Sequence, residues 1–231
     1  MRTAFYPQQS TCQIAHLWYL YSLFLGEREV GTFVEIGAND GVTASNTWGL
    51  AERGWTGWMA EPIPDLAASC RRNHHGHQNV TVVETAVGSS ESTEIVLHVA
   101  GVLTTGNDEL FNEYRSIDWA RNHLQNREIV VQSCTLDTFL LNNYVPQSFD
   151  VLVVDVEGLE SEVFSSFDLD LWSPKIVIVE LVDTHPDLAS TSISDALLGH
   201  KLVSKGYFIV YKDSVNTMFV RTDIWNSAFR K

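Results

Sequence analysis

The amino-acid sequence predicts a single α/β domain built around a mostly parallel sheet. Three observations support this prediction. Short apolar runs have the length and composition of buried strands, and segments of helical character lie between them. No internal repeat or Pro/Gly/Ser-rich linker divides the 231 residues, and this length suits one α/β core. Because strands that alternate with helices form βαβ units, we expect parallel strands, right-handed crossovers and helices on both faces of the sheet.

The first predicted element is a helix within an N-terminal helical segment that we assign to residues 1–30. Its core is the apolar run IAHLWYLYSLFL at residues 14–25. This run is shorter than the roughly 20 residues that a membrane-spanning helix needs. It also lacks the basic flank and the small-residue cleavage site of a signal peptide. We therefore expect a buried helix that packs on the sheet, and no membrane insertion.

The strands of the parallel sheet follow in order along the chain. The first is TFVEI at residues 32–36, where apolar and β-branched residues surround a single acid, Glu35, as in a strand buried on both faces. Further strands are predicted at residues 55–60, 80–84, 150–155 and 176–181. Helices are predicted after the second, fourth and fifth strands, within residues 64–73, 158–167 and 192–206.

The C-terminal part departs from this alternation. Two strand-like runs at residues 207–212 and 217–221 flank a short turn at residues 214–216. Runs so closely spaced can pair only in the antiparallel sense. We therefore expect the parallel sheet to end in an antiparallel hairpin.

Composition and charge exclude several classes of partner. The formal net charge is −14 at pH 7, and no basic cluster is larger than the pair Arg71 and Arg72. Such a chain repels phosphate backbones and anionic lipid surfaces, so we expect neither nucleic-acid nor membrane partners. Cys12, Cys70 and Cys134 are odd in number and lack metal-ligand spacing. This argues against a disulfide framework and favours a reducing cytoplasm.

A glycine loop, GANDG at residues 37–41, follows the first strand and precedes a segment that turns helical. A strand, a glycine loop and a helix N-terminus form the phosphate-binding unit of Rossmann-like dinucleotide folds, which require G-x-G-x-x-G. Here the three positions are Gly37, Asn39 and Val42, so two of the three glycines are missing. The loop keeps the tight turn without the close approach to a diphosphate, which favours an adenosine ligand that carries no phosphate.

Acidic and small residues at the ends of the later strands fit such a ligand. Glu61 follows the second strand, near the spacing at which an acid in these folds binds ribose hydroxyls. After the third strand, the small residues of ETAVG (residues 84–88) leave room for a flat ring. After the fourth strand, DVEGLE (residues 155–160) brings three acids to the carboxyl edge, where open α/β sheets bind ligands.

Taken together, these segments resemble a known family. VEIGANDG, MAEPIPD, ETAVGS, SCTLDTFL and VVDVEGLE occur in the order and approximate spacing of the FkbM-like methyltransferases, over roughly residues 30–185. This family uses S-adenosylmethionine and is associated with O-methylation, often of sugar or polyketide hydroxyls. The resemblance implies a Rossmann-like class I methyltransferase fold, whose reversed last strand matches the C-terminal hairpin. It also implies O-methylation of a small molecule or glycan, which we expect to be a sugar.

The resemblance assigns residues to the cofactor as well. Glu61 and Pro62 would lie at the ribose, Ala86 and Val87 against adenine, and Asp155 nearest the transferred methyl group. The methionine end would be lined by Glu35, Gly37, Ala38, Asn39, Asp40 and Gly41. The family often has a hydrophobic residue where this chain has Asp40, and the charge of Asp40 would favour a sulfonium cation.

Methyl transfer to a hydroxyl needs a group that accepts the proton. Asp155 and His185 are the candidate bases, because both follow predicted strands and histidine titrates nearest neutrality. We expect His185 to face the same cleft as Asp155, and we include Glu157 among the catalytic candidates. Since the methyl group of the cofactor is already activated, holding the hydroxyl oxygen in line supplies most of the catalysis.

A Mg²⁺-dependent form of the reaction is an alternative to this metal-free mechanism. Asp155, Glu180 and Asp183 could bind the ion, so that a coordinated hydroxyl loses its proton easily. Their spacing is not characteristic of a metal site, and our primary prediction therefore includes no metal.

Two further segments stand out. We interpret His74, His75 and His77 as part of a solvated connection rather than a metal cluster. Residues 99–128 are polar, carry Tyr114 and Trp119, and interrupt the alternation of strands and helices. We expect this segment to be a substrate-side insertion whose aromatic residues suit a sugar face, or an ordinary surface hairpin and helix.

The assigned acids also have structural alternatives. Glu35 could pair with a nearby cation, Glu61 could start a turn before the prolines, and Asp155 could N-cap the following helix. Two alternatives exist for the whole chain, since a fold does not determine a function. One is a catalytically silent module that binds an adenosine ligand, and the other is an NAD-dependent oxidoreductase.

Overall fold

A seven-stranded sheet forms the centre of the computed structural model, which describes residues 12–125 and 127–230. The strands of the protein are β1 (Thr32–Ile36), β2 (Thr56–Ala60), β3 (Val80–Val83), β4 (Ala86–Gly88), β5 (Thr93–His98), β6 (Glu128–Thr135), β7 (Val151–Val154), β8 (Ile176–Glu180), β9 (Tyr207–Lys212) and β10 (Asn216–Arg221). The helices are α1 (Leu17–Leu25), α2 (Trp48–Glu52), α3 (Pro64–Asn73), α4 (Asp108–Tyr114), α5 (Asp118–Arg121), α6 (Leu136–Asn142), α7 (Glu160–Ser165), α8 (Leu169–Trp172), α9 (Ser192–Ser204) and α10 (Thr222–Phe229).

The strand pairing confirms the predicted architecture. The order of the large sheet is β3-β2-β1-β7-β8-β10-β9. β1 is parallel to β2 and β7, β2 to β3, and β7 to β8, whereas β10 is antiparallel to both β8 and β9. The sheet is therefore mostly parallel and ends in an antiparallel hairpin. Its order reverses beside β1, and open α/β sheets bind ligands at such a reversal.

Alternate residues of the central strands point to opposite sides of the large sheet, and a layer of buried side chains lies on each side. Val34 and Val154 belong to a buried cluster that includes side chains of α6, α7 and α9. Phe33 and Val153 belong to a second cluster, which includes the buried side chains of α1. α1 begins at Leu17, later than the predicted apolar run. Residues 1–11 of the predicted N-terminal segment lie outside the described residues.

Helices α1 and α10 pack against each other on one face of the sheet. The ring of Phe24 in α1 stacks on Trp225 in α10, with centroids 5.8 Å apart, and meets the edge of Phe229 at 6.3 Å. These contacts join elements from opposite ends of the described chain. Within residues 12–125 and 127–230, no helix combines the length and apolar character needed to cross a membrane.

A second, three-stranded sheet was not predicted. Its order is β4-β6-β5, with β4 parallel and β5 antiparallel to β6. Residues 86–88, which we expected in a loop, form β4, and the predicted insertion between β5 and β6 contains α4 and α5. The small sheet escapes prediction because most side chains of β5 are exposed or half-buried, so the strand lacks a continuous apolar run.

Candidate active site

A cleft opens at the carboxyl ends of β1, β2 and β7, beside the point where the strand order reverses. Its empty space is about 1020 Å³, including the part open to solvent, which is at the upper end of the usual size of ligand pockets. The small sheet supplies the opposite wall through Ile95 and Leu97. Most of the predicted cofactor and catalytic residues line this cleft, namely Glu35, Gly37, Ala38, Asn39, Glu61, Pro62, Ala86, Val87, Asp155 and Glu157.

The glycine loop passes very close to the end of β7. Gly37 has a φ of 86°, and a Cβ atom at this position would lie 1.7 Å from the carbonyl oxygen of Asp155. The N–H groups of Gly37 and Ala38 both donate to the carbonyl oxygen of Ala60, each at 3.0 Å. The glycine is therefore needed for contact between two segments of protein backbone, and the loop is fixed across the ends of β1, β2 and β7.

Glu35 is buried near the floor of the cleft and is only 5% exposed. Its carboxylate accepts hydrogen bonds from the hydroxyl of Thr47 at 2.6 Å and from that of Ser45 at 3.4 Å. Loss of solvation raises the pKa of Glu35 to about 8, although these donors oppose the shift. The partners of Glu35 are thus hydroxyl groups from the loop after β1, and not the nearby cation that we considered as an alternative.

Glu61 connects the end of β2 with the glycine loop. Its carboxylate accepts the backbone N–H of Asn39 at 2.8 Å through one oxygen and that of Ile63 at 2.9 Å through the other. The side chain is 4% exposed, and desolvation raises its pKa to about 7. The bond to Ile63 is the turn-forming contact that we considered as an alternative, and the same carboxylate also lines the cleft.

Asp40 and Gly41 do not line the cleft, contrary to our expectation. The Asp40 carboxylate instead accepts hydrogen bonds from the N–H groups of Val42 at 2.9 Å and Thr43 at 2.7 Å. Burial alone would raise the pKa of Asp40, but these donors hold it below its ordinary value. The carboxylate therefore stabilises the turn of its own loop and does not face the cleft, where we expected it to lie near a sulfonium cation.

Of the three histidines that we expected in a solvated connection, His75 is exposed, whereas His74 and His77 pack beneath the glycine loop. His74 is 4% exposed, and its Nε2 atom lies 3.0 Å from the carbonyl oxygen of Gly41. Its Nδ1 atom lies 3.0 Å from Nδ1 of His77, and the ring of Trp48 contacts both imidazoles. Because a carbonyl only accepts, Nε2 of His74 carries a proton, and one proton is shared between the two Nδ1 atoms. Burial lowers the pKa of both imidazoles.

Three carboxyl groups converge beside the cleft. One oxygen from each of Asp155, Glu157 and Glu180 lies within 4.8 Å of the others. All three side chains are half-buried, and desolvation is the main reason that the pKa of each is raised. The structure thus brings the two catalytic candidates Asp155 and Glu157 together with Glu180.

Asp155 does not cap the helix that follows it. Helix α7 begins at Glu160, and the carboxylate of Glu160 accepts the N–H groups of Val156 at 2.9 Å and Gly158 at 3.0 Å. The capping alternative for Asp155 is therefore wrong, because the N-cap position of α7 is Leu159, four residues later, and no side chain caps the helix there.

The predicted insertion holds Glu157 in place. Glu157 has a φ of 54°, a conformation that non-glycine residues rarely adopt. The buried hydroxyl of Tyr114 donates to its carboxylate at 2.8 Å, and the hydroxyl of Thr105 donates to its backbone carbonyl. The Asn107 side chain donates to the carbonyl of the next residue, Gly158, at 3.1 Å. Tyr114 therefore supports the acid cluster and does not line the cleft as a sugar-stacking ring.

Asp183 and His185 lie away from the acid cluster, which corrects two expectations. Both oxygens of Asp183 accept from Nζ of Lys212 at 2.7 Å. The ring of His185 packs 5.9 Å from that of Trp119, and its Nδ1 atom accepts the N–H of Asp187 at 3.1 Å. Neither residue lines the cleft, because the loop after β8 runs toward the insertion.

Several residues of the cleft were missed by the sequence analysis. Gln13 precedes α1 and lines the cleft, where its side chain hydrogen-bonds with Asp155. Val102 and Thr104, within the insertion, line the wall formed by the small sheet. No local sequence pattern identifies these positions, since only the tertiary fold brings them to the ends of β1 and β7.

Comparisons with known proteins concern the family and the fold of the chain. The family model of the methyltransferase FkbM domain matches residues 35–206. The METTL16 methyltransferase domain is similar over 94% of this chain and 70% of that chain, with 11% identity and a TM-score of 0.50. The O-methyltransferase from Bacillus cereus, solved in complex with S-adenosylhomocysteine, is similar over 92% and 84%, with 12% identity and a TM-score of 0.47. No curated protein matches the sequence significantly. The structural likeness indicates a class I methyltransferase fold.

Proposed function

The chain belongs to the FkbM methyltransferase family, whose model covers most of its length, and from this premise we propose that it transfers a methyl group from S-adenosylmethionine to a hydroxyl oxygen. The acceptor is a small molecule or a glycan. Family membership supports the use of S-adenosylmethionine, whereas the site residues and the hydroxyl acceptor are part of the proposal.

The observation that carries the proposal is the position of Glu61. This acid is anchored at the carboxyl end of β2 by two backbone N–H groups, next to a glycine loop that lacks the dinucleotide pattern. An ionised carboxylate has further lone pairs after accepting two bonds, so it can also accept from the two hydroxyls of a ribose. The small residues Ala86 and Val87 in the same cleft leave space for the adenine ring.

Asp155 is the proposed base. When bound, S-adenosylmethionine supplies a methyl group activated by its positive sulfur. Asp155 accepts the proton of the acceptor hydroxyl as the new oxygen–carbon bond forms, and its raised pKa makes the carboxylate a stronger base than an exposed aspartate. Glu157 and Glu180 lie close enough to share this proton. The walls of the cleft hold the acceptor oxygen in line with the methyl carbon.

Calorimetry with S-adenosylmethionine, S-adenosylhomocysteine and NAD tests the cofactor assignment. We expect both sulfur ligands to bind and NAD to give no heat of binding. Tight NAD binding without a response to the sulfur ligands would replace the proposal with an oxidoreductase. Binding of the sulfur ligands without methyl transfer to any hydroxyl compound would identify a silent binding module instead.

Replacing Asp155 with asparagine tests the base. The change keeps the shape of the side chain and removes its basicity, so turnover should fall by about 10² to 10⁴ with nearly unchanged cofactor affinity. The exposed Asp65 in the first turn of α3 offers a matched control, since Asp65→Asn alters the same charge away from the cleft. Full activity of Asp155→Asn would remove this residue from the chemistry.

A Mg²⁺-assisted version of the reaction uses a different set of ligands from the one we expected. Glu157 takes the place of Asp183, because the oxygens of Asp155, Glu157 and Glu180 lie within 4.8 Å of one another. A chelator separates the two versions. Undiminished turnover after exhaustive treatment supports the metal-free base, and loss of turnover that Mg²⁺ restores supports the metal-assisted reaction.

A further inference from the structure

The cleft is lined by acids and by no basic side chain. Glu35, Glu61, Asp155 and Glu157 all line it, and the lining residues within the described part of the chain include no lysine, arginine or histidine. Glu180 adds a fifth carboxyl group next to Asp155. A ligand with a negative charge would therefore meet these carboxyl groups without a compensating cation from the lining side chains, and it would be repelled by each carboxyl group that is ionised.

Two basic side chains that contact segments following β8 and β3 are held in ion pairs. Lys212, at the end of β9, binds both oxygens of Asp183 at 2.7 Å. Arg71, on α3, binds Glu84 at 3.2 Å. Because Lys212 and Arg71 are held in these ion pairs, neither side chain offsets the charge of the acids in the cleft.

Several backbone donors beside the cleft are also occupied. Glycine loops and other runs of unpaired N–H groups can bind phosphate or carboxylate. Here Glu61 accepts the N–H of Asn39 in the glycine loop, and Glu160 accepts those of Val156 and Gly158, which precede α7.

Carboxylates of the protein accept backbone N–H groups at two further places along this edge of the sheet. Asp40 accepts the N–H groups of Val42 and Thr43 within the glycine loop, and Asp195 accepts the N–H of Val182 after β8. Four acids of the chain, Glu61, Glu160, Asp40 and Asp195, therefore occupy backbone donors that an external anion could otherwise use.

We propose that the methyl acceptor is a hydroxyl compound without negative charge, so that phosphorylated and carboxylated acceptors, including nucleotide sugars and uronic acids, are excluded electrostatically. This inference rests on the proposed function and narrows its substrate class. The rest of the wall agrees with an uncharged acceptor, because Ile95, Leu97, Val102 and Leu159 are apolar and Thr104 offers only a neutral hydroxyl. S-adenosylmethionine remains compatible with the same acids, because its sulfonium and ammonium charges outnumber its one carboxylate.

The test uses a protein-free extract of the cells that carry the gene. The extract is divided on a strong anion exchanger at neutral pH into a retained and an unretained pool. Each pool is incubated with the enzyme and S-adenosylmethionine labelled in its methyl group, at low ionic strength. We expect at least about tenfold more label in the unretained pool, since one repulsive charge pair in a partly buried cleft outweighs a factor of ten.

Label that enters mainly the retained pool would overturn the charge inference and leave the methyltransferase assignment intact. No label in either pool, in a protein that binds S-adenosylmethionine by calorimetry, would instead refute the proposed function and with it the inference. The two failures are therefore distinguishable.

A matched pair of variants tests whether charge is the cause. Val102 is 46% exposed and lines the cleft. Val102→Lys adds a cation to this wall, and Val102→Met adds similar length without charge. The fraction of label in the retained pool should rise several-fold in Val102→Lys only. Identical distributions in the wild type and both variants would refute the electrostatic explanation.

Discussion

Replacing Glu61 with glutamine separates two properties of this carboxyl group, its charge and its hydrogen bonds to the loop. The side chain is 4% exposed, and its pKa is about 7, compared with an ordinary value of 4.5. Below pH 4.5 the group is protonated in both the folded and the unfolded chain, so no charge is buried and its titration does not change the free energy of unfolding. Above pH 7 it is ionised in both, and the folded state carries the whole cost of burying the charge.

The size of this cost follows from the shift. A shift from 4.5 to about 7 corresponds to about 3 kcal/mol, at about 1.4 kcal/mol per pH unit. Acidification from pH 8 to pH 5 should therefore stabilise the unliganded wild type through this group, the reverse of ordinary acid denaturation. Glu61→Gln removes the cost of burying the charge. It also leaves the N–H of Asn39 or Ile63 without its acceptor, which should lower the free energy of unfolding by about 1 to 3 kcal/mol.

Urea unfolding at pH 5 and pH 8 measures the two effects. The variant should be less stable than the wild type by about 1 to 3 kcal/mol at pH 5 and nearly equal to it at pH 8. Glu35 is common to both proteins, so its own titration cancels in the difference. The exposed Glu29 gives a matched control, because Glu29→Gln changes the same charge on the surface.

The same variant tests the ribose assignment. Affinity for S-adenosylmethionine should fall by about 1 to 3 kcal/mol, the value of hydrogen bonds to a charged acceptor. If the free energy of unfolding changed equally in the variant and the wild type between pH 5 and pH 8, Glu61 would not be a buried titrating group. An unchanged cofactor affinity would show that it does not hold the ribose.

Three further variants test other contacts of the site. Gly37→Ala should abolish cofactor binding and lower the unfolding temperature, because its Cβ would lie 1.7 Å from a backbone oxygen of β7; binding equal to the wild type in calorimetry would contradict the observed loop geometry. Tyr114→Phe should cost about 1 kcal/mol of unfolding free energy and lower turnover without changing cofactor affinity, whereas Tyr144→Phe, at a residue 90% exposed, should change neither. Burial lowers the pKa of His74 and His77, so acidification below the ordinary histidine pKa of about 6.5 should protonate this pair beneath the glycine loop and weaken cofactor binding in the wild type; His77→Asn should reduce this loss, whereas His75→Asn, at an exposed residue, should keep the wild-type pH profile.

The large sheet and the edge where ligands bind were accessible from the sequence because both depend on local patterns. TFVEI, with one acid, and the continuous apolar run VLVV have the composition of buried strands, and they form β1 and β7. Since β1 is a parallel neighbour of both β2 and β7, the residues that follow these strands must meet at one edge. Glu61 and Asp155 could therefore be placed together without knowledge of any contact between them.

Other parts of the site depend on contacts that no local pattern encodes. The burial of His74 results from the glycine loop lying over it, and the three polar histidines in sequence give no sign of this packing. Gln13 reaches the cleft only because α1 packs on the sheet. Asp183 was grouped with Asp155 by its position after a strand, but Lys212 of the hairpin binds it.

The packing of α1 against α10 has a consequence for synthesis of the chain. Phe24 is synthesised about 200 residues before its ring partners Trp225 and Phe229. At about 5 to 20 residues per second, a ribosome needs about 10 to 40 s to make the chain between them. During this interval the nascent α1 presents an aromatic surface to the surrounding medium, and the arrival of α10 covers it. Closure of this face of the sheet therefore waits for the synthesis of α10.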